Sequence, residues 1–280
     1  NFGQDTLVSV SNFQRDAGFK SDGVVSLLTW SRLNNYEKAE TKVIDEIPYD
    51  ICYVTDDGLK LYDSKLDEQY FYTNKTKKTT IWIKSTLSSL SLNNYIGNWS
   101  KVYDRDKHGS LLEEELKNST HYTIGGFSKN DTKWDGKVIR NFEEKFWSYH
   151  SPFLNTTKRL NQSIISIELC NLGPLLNING SFYTRDGQLV DESEVVELDF
   201  RGYKFWHKYT DKQIESLRKL LTYLVKKWDI DTSKSEIDFN WFEYHKKWES
   251  PVGLRTDSQI SYEKIGIFPQ DEIIQILSSL

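Results

Sequence analysis

Residues 163–169 read SIISIEL, and this stretch decides the fold class. Its apolar side chains run almost without interruption, which is typical of a strand in the centre of a sheet, because both faces of such a strand are covered. Residues 79–86 read TTIWIKST and form a second strong strand pattern. Side chains alternate along a strand, so Trp82 and Lys84 are predicted on one face and Ile81 and Ile83 on the other.

Further strands and helices alternate outward from these two segments. Residues 121–125 predict another strand, followed by a tight turn at Asp135-Gly136 and a strand within 137–142. Residues 90–99 predict a short helix. Residues 210–228 predict a long one, which starts with the capping box TDKQ. Its apolar stripe comprises Ile214, Leu217, Leu220, Leu221, Leu224, Val225 and Trp228.

A last helix is predicted after Pro269, with an apolar side made of Ile273, Ile274, Ile276 and Leu277. Strands interleaved with helices predict an α/β fold with a mixed central β-sheet flanked by helices. Residues 1–65 are predicted to form an N-terminal arm or small docking subdomain. Short strands are predicted there around Val8, Val10, Phe13, Val24, Val25, Leu27, Leu28 and Trp30. Residues 66–280 are predicted to form the main domain.

Composition excludes some classes of function. The 280 residues carry 36 Lys+Arg against 41 Asp+Glu, so no basic excess favours nucleic-acid binding. No stretch approaches the ~18 apolar residues of a membrane span. The chain contains no methionine, and we expect it to be a processed chain or a fragment. Cys52 and Cys170 lie among apolar neighbours and are predicted to be buried free thiols.

Seven Asn-x-Ser/Thr triplets leave the compartment open: they begin at Asn74, Asn98, Asn118, Asn130, Asn155, Asn161 and Asn179. They favour secretion through a glycosylating pathway. A composition rich in Asn, Ser, Thr and Lys also produces such triplets by chance.

Four segments, in this order, resemble motifs of the zinc-dependent N-acetylmuramoyl-L-alanine amidases, especially phage-encoded ones, and of the related peptidoglycan-recognition proteins. The first is IWIKST (81–86), and the second comprises HYTI (121–124), DGKV (135–138) and WSYH (147–150). The third comprises IISIEL (164–169), Asn171, Gly173 and YTDKQI (209–214), and the fourth comprises GLRTD (253–257) and EKIGIFPQ (263–270). The resemblance covers roughly residues 66 to 280 and implies an amidase-like fold.

The resemblance also implies a reaction, hydrolysis of the amide between muramic acid and L-alanine. A zinc ion held by two His and one Asp or Cys keeps an open position for water. Carried over by motif, the general base falls on Glu168 and the lysine that steadies the oxyanion falls on Lys264. His121 and His150 fall where the family has residues of the substrate groove.

The three metal-ligand positions fall on Lys84, Asp257 and Gly266, and none keeps the family's residue. An ammonium group repels zinc, glycine has no side-chain ligand, and one carboxylate is not a zinc site. We therefore expect no metal and no other cofactor. Lys84 is expected within roughly 4 Å of a carboxylate, first Asp257 and second Glu168. The alternative left open is that Lys84 points to solvent.

These expectations favour a catalytically inactive amidase-like domain with a structural or cell-wall-recognition role, such as a part of a phage tail or baseplate. Its expected partners are neighbouring virion proteins, reached through the N-terminal arm, and peptidoglycan; its expected location is the virion or the extracellular space. Trp134, Trp147, Phe205 and Trp206 are candidates for a sugar-binding surface or for the core. Two alternatives stay open, namely an active amidase and a secreted recognition protein that binds cell wall without cleaving it.

Overall fold

The computed structural model describes residues 4–16, 19–26, 29, 49–87, 102–105, 111–117, 119–127, 132–150, 158–234, 241–244, 252–259 and 266–280. The helix predicted at 90–99 lies outside these residues, as does Lys264. No helix among the described residues is both long and apolar enough to span a bilayer.

The helices described are α1 (Gln4–Asp16), α2 (Lys158–Ser163), α3 (Asp211–Trp228) and α4 (Asp271–Ser279). The strands are β1 (Ile51–Val54), β2 (Lys60–Asp63), β3 (Thr80–Ser85), β4 (Val102–Arg105), β5 (Leu111–Leu116), β6 (Tyr122–Ile124), β7 (Val138–Arg140), β8 (Ile164–Leu169), β9 (Pro174–Ile178), β10 (Ser181–Tyr183), β11 (Leu189–Val190), β12 (Val195–Phe200), β13 (Tyr203–His207) and β14 (Gly253–Thr256).

The chain divides into two compact units. The first comprises Asn1–Val43 and Pro174–His207, and the second comprises Ile44–Gly173 and Lys208–Leu280. This division differs from the predicted boundary at 65/66. Strand β2 pairs in parallel with β7, so β1 and β2 belong to the same sheet as the strands predicted for the main domain. The docking role of the N-terminal residues stays a prediction.

The second unit contains a seven-stranded mixed sheet in the order β1-β2-β7-β6-β8-β3-β14. Strand β8 lies between β6 and β3, parallel to both. All six of its residues are buried, which confirms the predicted central strand. Strands β4 and β5 pair with each other in a separate two-stranded antiparallel sheet.

Helices of the same unit pack against this sheet. Helix α3 contacts β6, and its predicted capping box at Thr210 and Gln213 is present. Leu160 of α2 packs against Trp82 of β3. In α4 the residues Ile273, Ile276 and Leu277 are buried, as predicted. Ile274 is 36% exposed and does not belong to the buried side.

The first unit holds a five-stranded antiparallel sheet in the order β11-β10-β9-β13-β12. The strands predicted around Val8, Val10 and Phe13 were wrong, because these residues lie on helix α1. Burial there follows helical rather than alternating spacing: Val10 and Phe13 are partly buried and Gln14 is buried. The Gln14 side-chain amide bonds Gly23 N, Val24 O and Thr29 Oγ1, and so organises the turn after the helix.

Candidate functional site

The carboxyl ends of β3 and β8 place a buried ion pair at the first predicted metal-ligand position. Lys84 lies opposite Glu168 in the parallel register, so the two side chains share one face. Lys84 Nζ is 3.7 Å from Glu168 Oε2, and the two side chains are only 11% and 10% exposed. Lys84 Nζ also donates to the carbonyl of His150 at 3.3 Å. The expected ion pair is confirmed, with the second of the two expected carboxylates.

Asp257, the carboxylate expected first, is engaged elsewhere. It follows directly after β14 and is 5% exposed. Its Oδ1 accepts a hydrogen bond from the backbone N–H of Ile267 at 3.0 Å. A Cβ at Gly266 would lie 1.7 Å from Asp257 Oδ2, so the carboxylate fills the side-chain space of position 266. We call Lys84, Glu168, Asp257 and Gly266 the strand-end row.

His121, the first of the two predicted groove histidines, is fully buried. Its Nδ1 accepts from the backbone N–H of Ser166 at 3.1 Å, and its Nε2 lies 3.2 Å from the carbonyl of Phe146. A backbone N–H only donates and a carbonyl only accepts, so these partners select the tautomer with its proton on Nε2. Burial holds the pKa of His121 well below its ordinary value, and the nearby Lys78 and Lys84 add to this effect. His121 is therefore neutral at neutral pH.

His150 stands beside His121, with 5.3 Å between the ring centroids. Burial, followed by the neighbouring His121 and Lys84, lowers the pKa of His150 well below its ordinary value. Its backbone N–H donates to Asn161 Oδ1 at 3.1 Å, and Asn161 is fully buried. The structure thus brings the two predicted groove histidines together, but both are buried neutral groups.

Lys78 is a neighbour that the sequence did not indicate. It ends a polar run, NKTKK, that is typical of a solvated loop, yet it is 1% exposed. Its Nζ donates to the carbonyls of Phe146 and Gln162 at 2.8 and 2.9 Å. Burial lowers the pKa of Lys78 to about 7. No sequence signal separates it from Lys75 and Lys77.

Other motif residues hold the start of α3 in place, and we call Asp135, Tyr209, Thr210 and Gln270 the helix junction. Asp135 accepts from the Thr210 hydroxyl at 2.5 Å. Gln270 bonds the backbone of Tyr209 twice: its Oε1 accepts from the N–H at 2.9 Å and its Nε2 donates to the carbonyl at 3.2 Å. These residues act as structural ties rather than as groove residues.

The residues at the three predicted ligand positions do not fit a zinc ion. Lys84 offers an ammonium that is already bonded to oxygen acceptors, and Gly266 offers no side chain. The Asp257 carboxylate is held by a backbone N–H. Among the described residues, no group of three or more His, Cys, Asp or Glu side chains is placed to hold a metal.

Most of the aromatic residues considered for a sugar-binding surface belong to the core. Trp134 and Trp206 are 0% exposed and Trp147 is 1% exposed. Phe205 is partly buried and packs edge-on against Phe182. Of the two predicted free thiols, Cys170 is buried and Cys52 is partly exposed.

Comparison with known proteins gives a family match. The family model described as N-acetylmuramoyl-L-alanine amidase matches residues 80–255. A solved structure of the amidase AmiD from E. coli, in complex with anhydro-N-acetylmuramic acid-L-Ala-D-gamma-Glu-L-Lys, matches at 16% identity and a TM-score of 0.33. That match covers 64% of this chain and 53% of the AmiD chain, so this chain spans about half of its length. No curated protein sequence matches significantly.

Proposed function

The chain belongs to the N-acetylmuramoyl-L-alanine amidase family, and we propose that within this family it is a domain that does not hydrolyse peptidoglycan. Its proposed role is that of a structural or cell-wall-recognition part of a larger assembly, such as a phage tail or baseplate. Its proposed location is accordingly the virion or the extracellular space.

One observation carries the proposal, the ion pair between Lys84 and Glu168. In the resembled family, the residue that matches position 84 is a metal ligand and the residue that matches position 168 is the general base. Here a cation stands at the first position, and its charge is compensated by the carboxylate at the second. An ammonium held at position 84 by that carboxylate repels a zinc ion and stands where a ligand would have to coordinate it.

A metal analysis and a hydrolysis assay on the same preparation test this proposal. We expect no stoichiometric zinc after purification without chelators, and no release of stem peptides from purified peptidoglycan. An active zinc amidase serves as the positive control. About one zinc per chain, or peptide release above background, would overturn the proposal.

The recognition role has its own test, because binding does not require catalysis. Co-sedimentation with purified peptidoglycan separates a recognition part from a purely structural one. Mass spectrometry of purified phage particles tests the virion assignment. Binding without presence in particles would support recognition alone, and presence without binding would support a structural role.

An active amidase remains the second candidate, because the family match includes Glu168 at the end of β8. The hydrolysis assay decides between the two. A secreted recognition protein is the third candidate, favoured by exposed Asn74 and Asn179 in their sequons. Intact-mass analysis for glycans tests it, and Asn161 is too buried in the folded chain to carry one.

A further inference from the structure

Position 266 has no room for a side chain, and this lack of room, rather than its backbone conformation, is what requires glycine there. Its φ lies outside the left-handed region that favours glycine. A Cβ placed there would lie 1.7 Å from Oδ2, 2.0 Å from Cγ and 2.1 Å from Oδ1 of Asp257. These distances are far below the closest contacts of real Cβ atoms. The carboxylate of Asp257 and any side chain at position 266 therefore require the same volume.

The carboxylate is fixed in that volume by the backbone next to it. Asp257 Oδ1 accepts from Ile267 N–H at 3.0 Å, and the following residue, Ser258, donates its hydroxyl to the Ile267 carbonyl at 2.7 Å. Both polar groups of the Ile267 backbone are thus bound from one short segment. All three residues are buried, so each bond satisfies a group that water does not reach.

We propose that Asp257 and Gly266 form an exclusive pair that ties Gly266 and Ile267 to the end of β14 in place of a shared metal ion. The side-chain carboxylate comes from position 257, and position 266 must stay empty to receive it. An aspartate at 266 is tolerated only after the carboxylate at 257 has been removed. The reading of both positions as former metal ligands rests on the proposed function, whereas the shared volume does not.

A double-mutant cycle with Asp257→Ala and Gly266→Ala tests the pair through the melting temperature of the full chain. In the wild type, Gly266→Ala overpacks a filled site and should lower the melting temperature by roughly 5 °C or more. In the Asp257→Ala background the same change should lower it by no more than about 2 °C. If Gly266→Ala alone fails to fold, a folded double variant gives the same answer.

Two controls distinguish a clash with the Asp257 side chain from a general sensitivity of the fold to mutation. Gly125→Ala places a Cβ 2.2 Å from the backbone oxygen of Trp134, so its cost should be equal with and without Asp257→Ala. Asp257→Asn keeps the volume of the side chain, so Gly266→Ala should remain as costly as in the wild type. An equal cost of Gly266→Ala in the wild-type and Asp257→Ala backgrounds would overturn the exclusive pair. Hydrolytic activity would instead overturn the proposed function and leave the pair intact.

Discussion

The helix junction and the strand-end row come from the same four motifs, but they differ in what they retain. At the junction, Asp135, Thr210 and Gln270 keep the residues of the resembled family and bond one another and the adjacent backbone. In the row, Lys84, Asp257 and Gly266 replace the resembled ligands. The junction ties chain segments directly and needs no metal. The ties at the junction therefore do not depend on the residues of the strand-end row.

Removal of the Lys84 ammonium from the row should have the largest effect on stability. Lys84→Ala leaves the buried charge of Glu168 without its compensating partner, and should lower the free energy of unfolding by about 3–5 kcal/mol. Urea denaturation measures this change. Lys226→Ala is the matched control, since its pair with Asp56 is 79% and 88% exposed and should contribute almost nothing.

The double variant Lys84→Met with Glu168→Gln sharpens the test, because it removes both charges at similar volume. It should recover most of the stability lost in Lys84→Ala. If Lys84→Ala lowered the free energy of unfolding no more than Lys226→Ala does, the ion pair would not stabilise the row.

Breaking the junction should have the next largest effect. Gln270→Ala leaves the buried N–H and C=O of Tyr209 without these two partners, and should lower the free energy of unfolding by about 2–4 kcal/mol. Gln69→Ala, on an exposed side chain, is the matched control. Equal stability of the two variants in urea would show that the junction does not tie α3 to the chain.

A smaller, pH-dependent effect is expected at Lys78. Its pKa is about 7 in the folded chain and near 10.5 when exposed, so the unfolded chain binds more protons between these values. Stability contributed by this group therefore rises with pH above 7. From pH 7 to 8.5 the gain should be about 1–2 kcal/mol.

Lys78→Met should remove that gain, and urea denaturation at both pH values measures it. The window stops at 8.5 because cysteine and tyrosine ionise in the unfolded chain above it. The burial-raised pKa values of Cys170 and Tyr209 then act in the opposite direction. An identical pH slope in the variant would contradict the assignment to Lys78.

The smallest expected effect is that of a chelator. A metal held at 100 times its Kd stabilises a fold by about 2.7 kcal/mol, so stripping it lowers the melting temperature visibly. For this chain, excess EDTA should leave the melting temperature unchanged, and added zinc should not raise it. A drop that zinc reverses would mean that the chain binds metal.

The periodic parts of the chain were predictable from sequence. The apolar residues of β3, β8 and helix α3 have the spacing of strands and of a helix, and Thr210 starts a capping box. In each case the same residues are the ones that the fold buries or bonds, so the local pattern was sufficient. Helix α1 was missed because Val8 and Val10 have the spacing of a strand, whereas only Val10 and Phe13 have that of a helix. The tie through Gln14 to residues 23–29 is not local. The place of β1 and β2 in the large sheet depends on pairing with β7, far along the chain.

The buried ion pair of Lys84 was predictable from sequence, but the choice of its partner was not. The ion pair of Lys84 followed from strand alternation and from the cost of an unpaired buried charge. The choice of Glu168 over Asp257 did not, because it depends on the backbone of Ile267 holding the second carboxylate. The burial of Lys78 depends on two carbonyls from segments 68 and 84 residues away.

The buried amide of Asn161 has a consequence for how the chain is made. Its Oδ1 is bonded inside the fold, and its side chain has no access to solvent. Oligosaccharide transfer to this sequon in a eukaryotic secretory pathway can occur only on the unfolded chain. A sugar on Nδ2 would have no room in the folded chain, so the residues around Asn161 could not pack as they do here. In such a host, folding and glycosylation of Asn161 would therefore compete on each newly made chain. A bacterial cytoplasm without that transferase would give a single unmodified product.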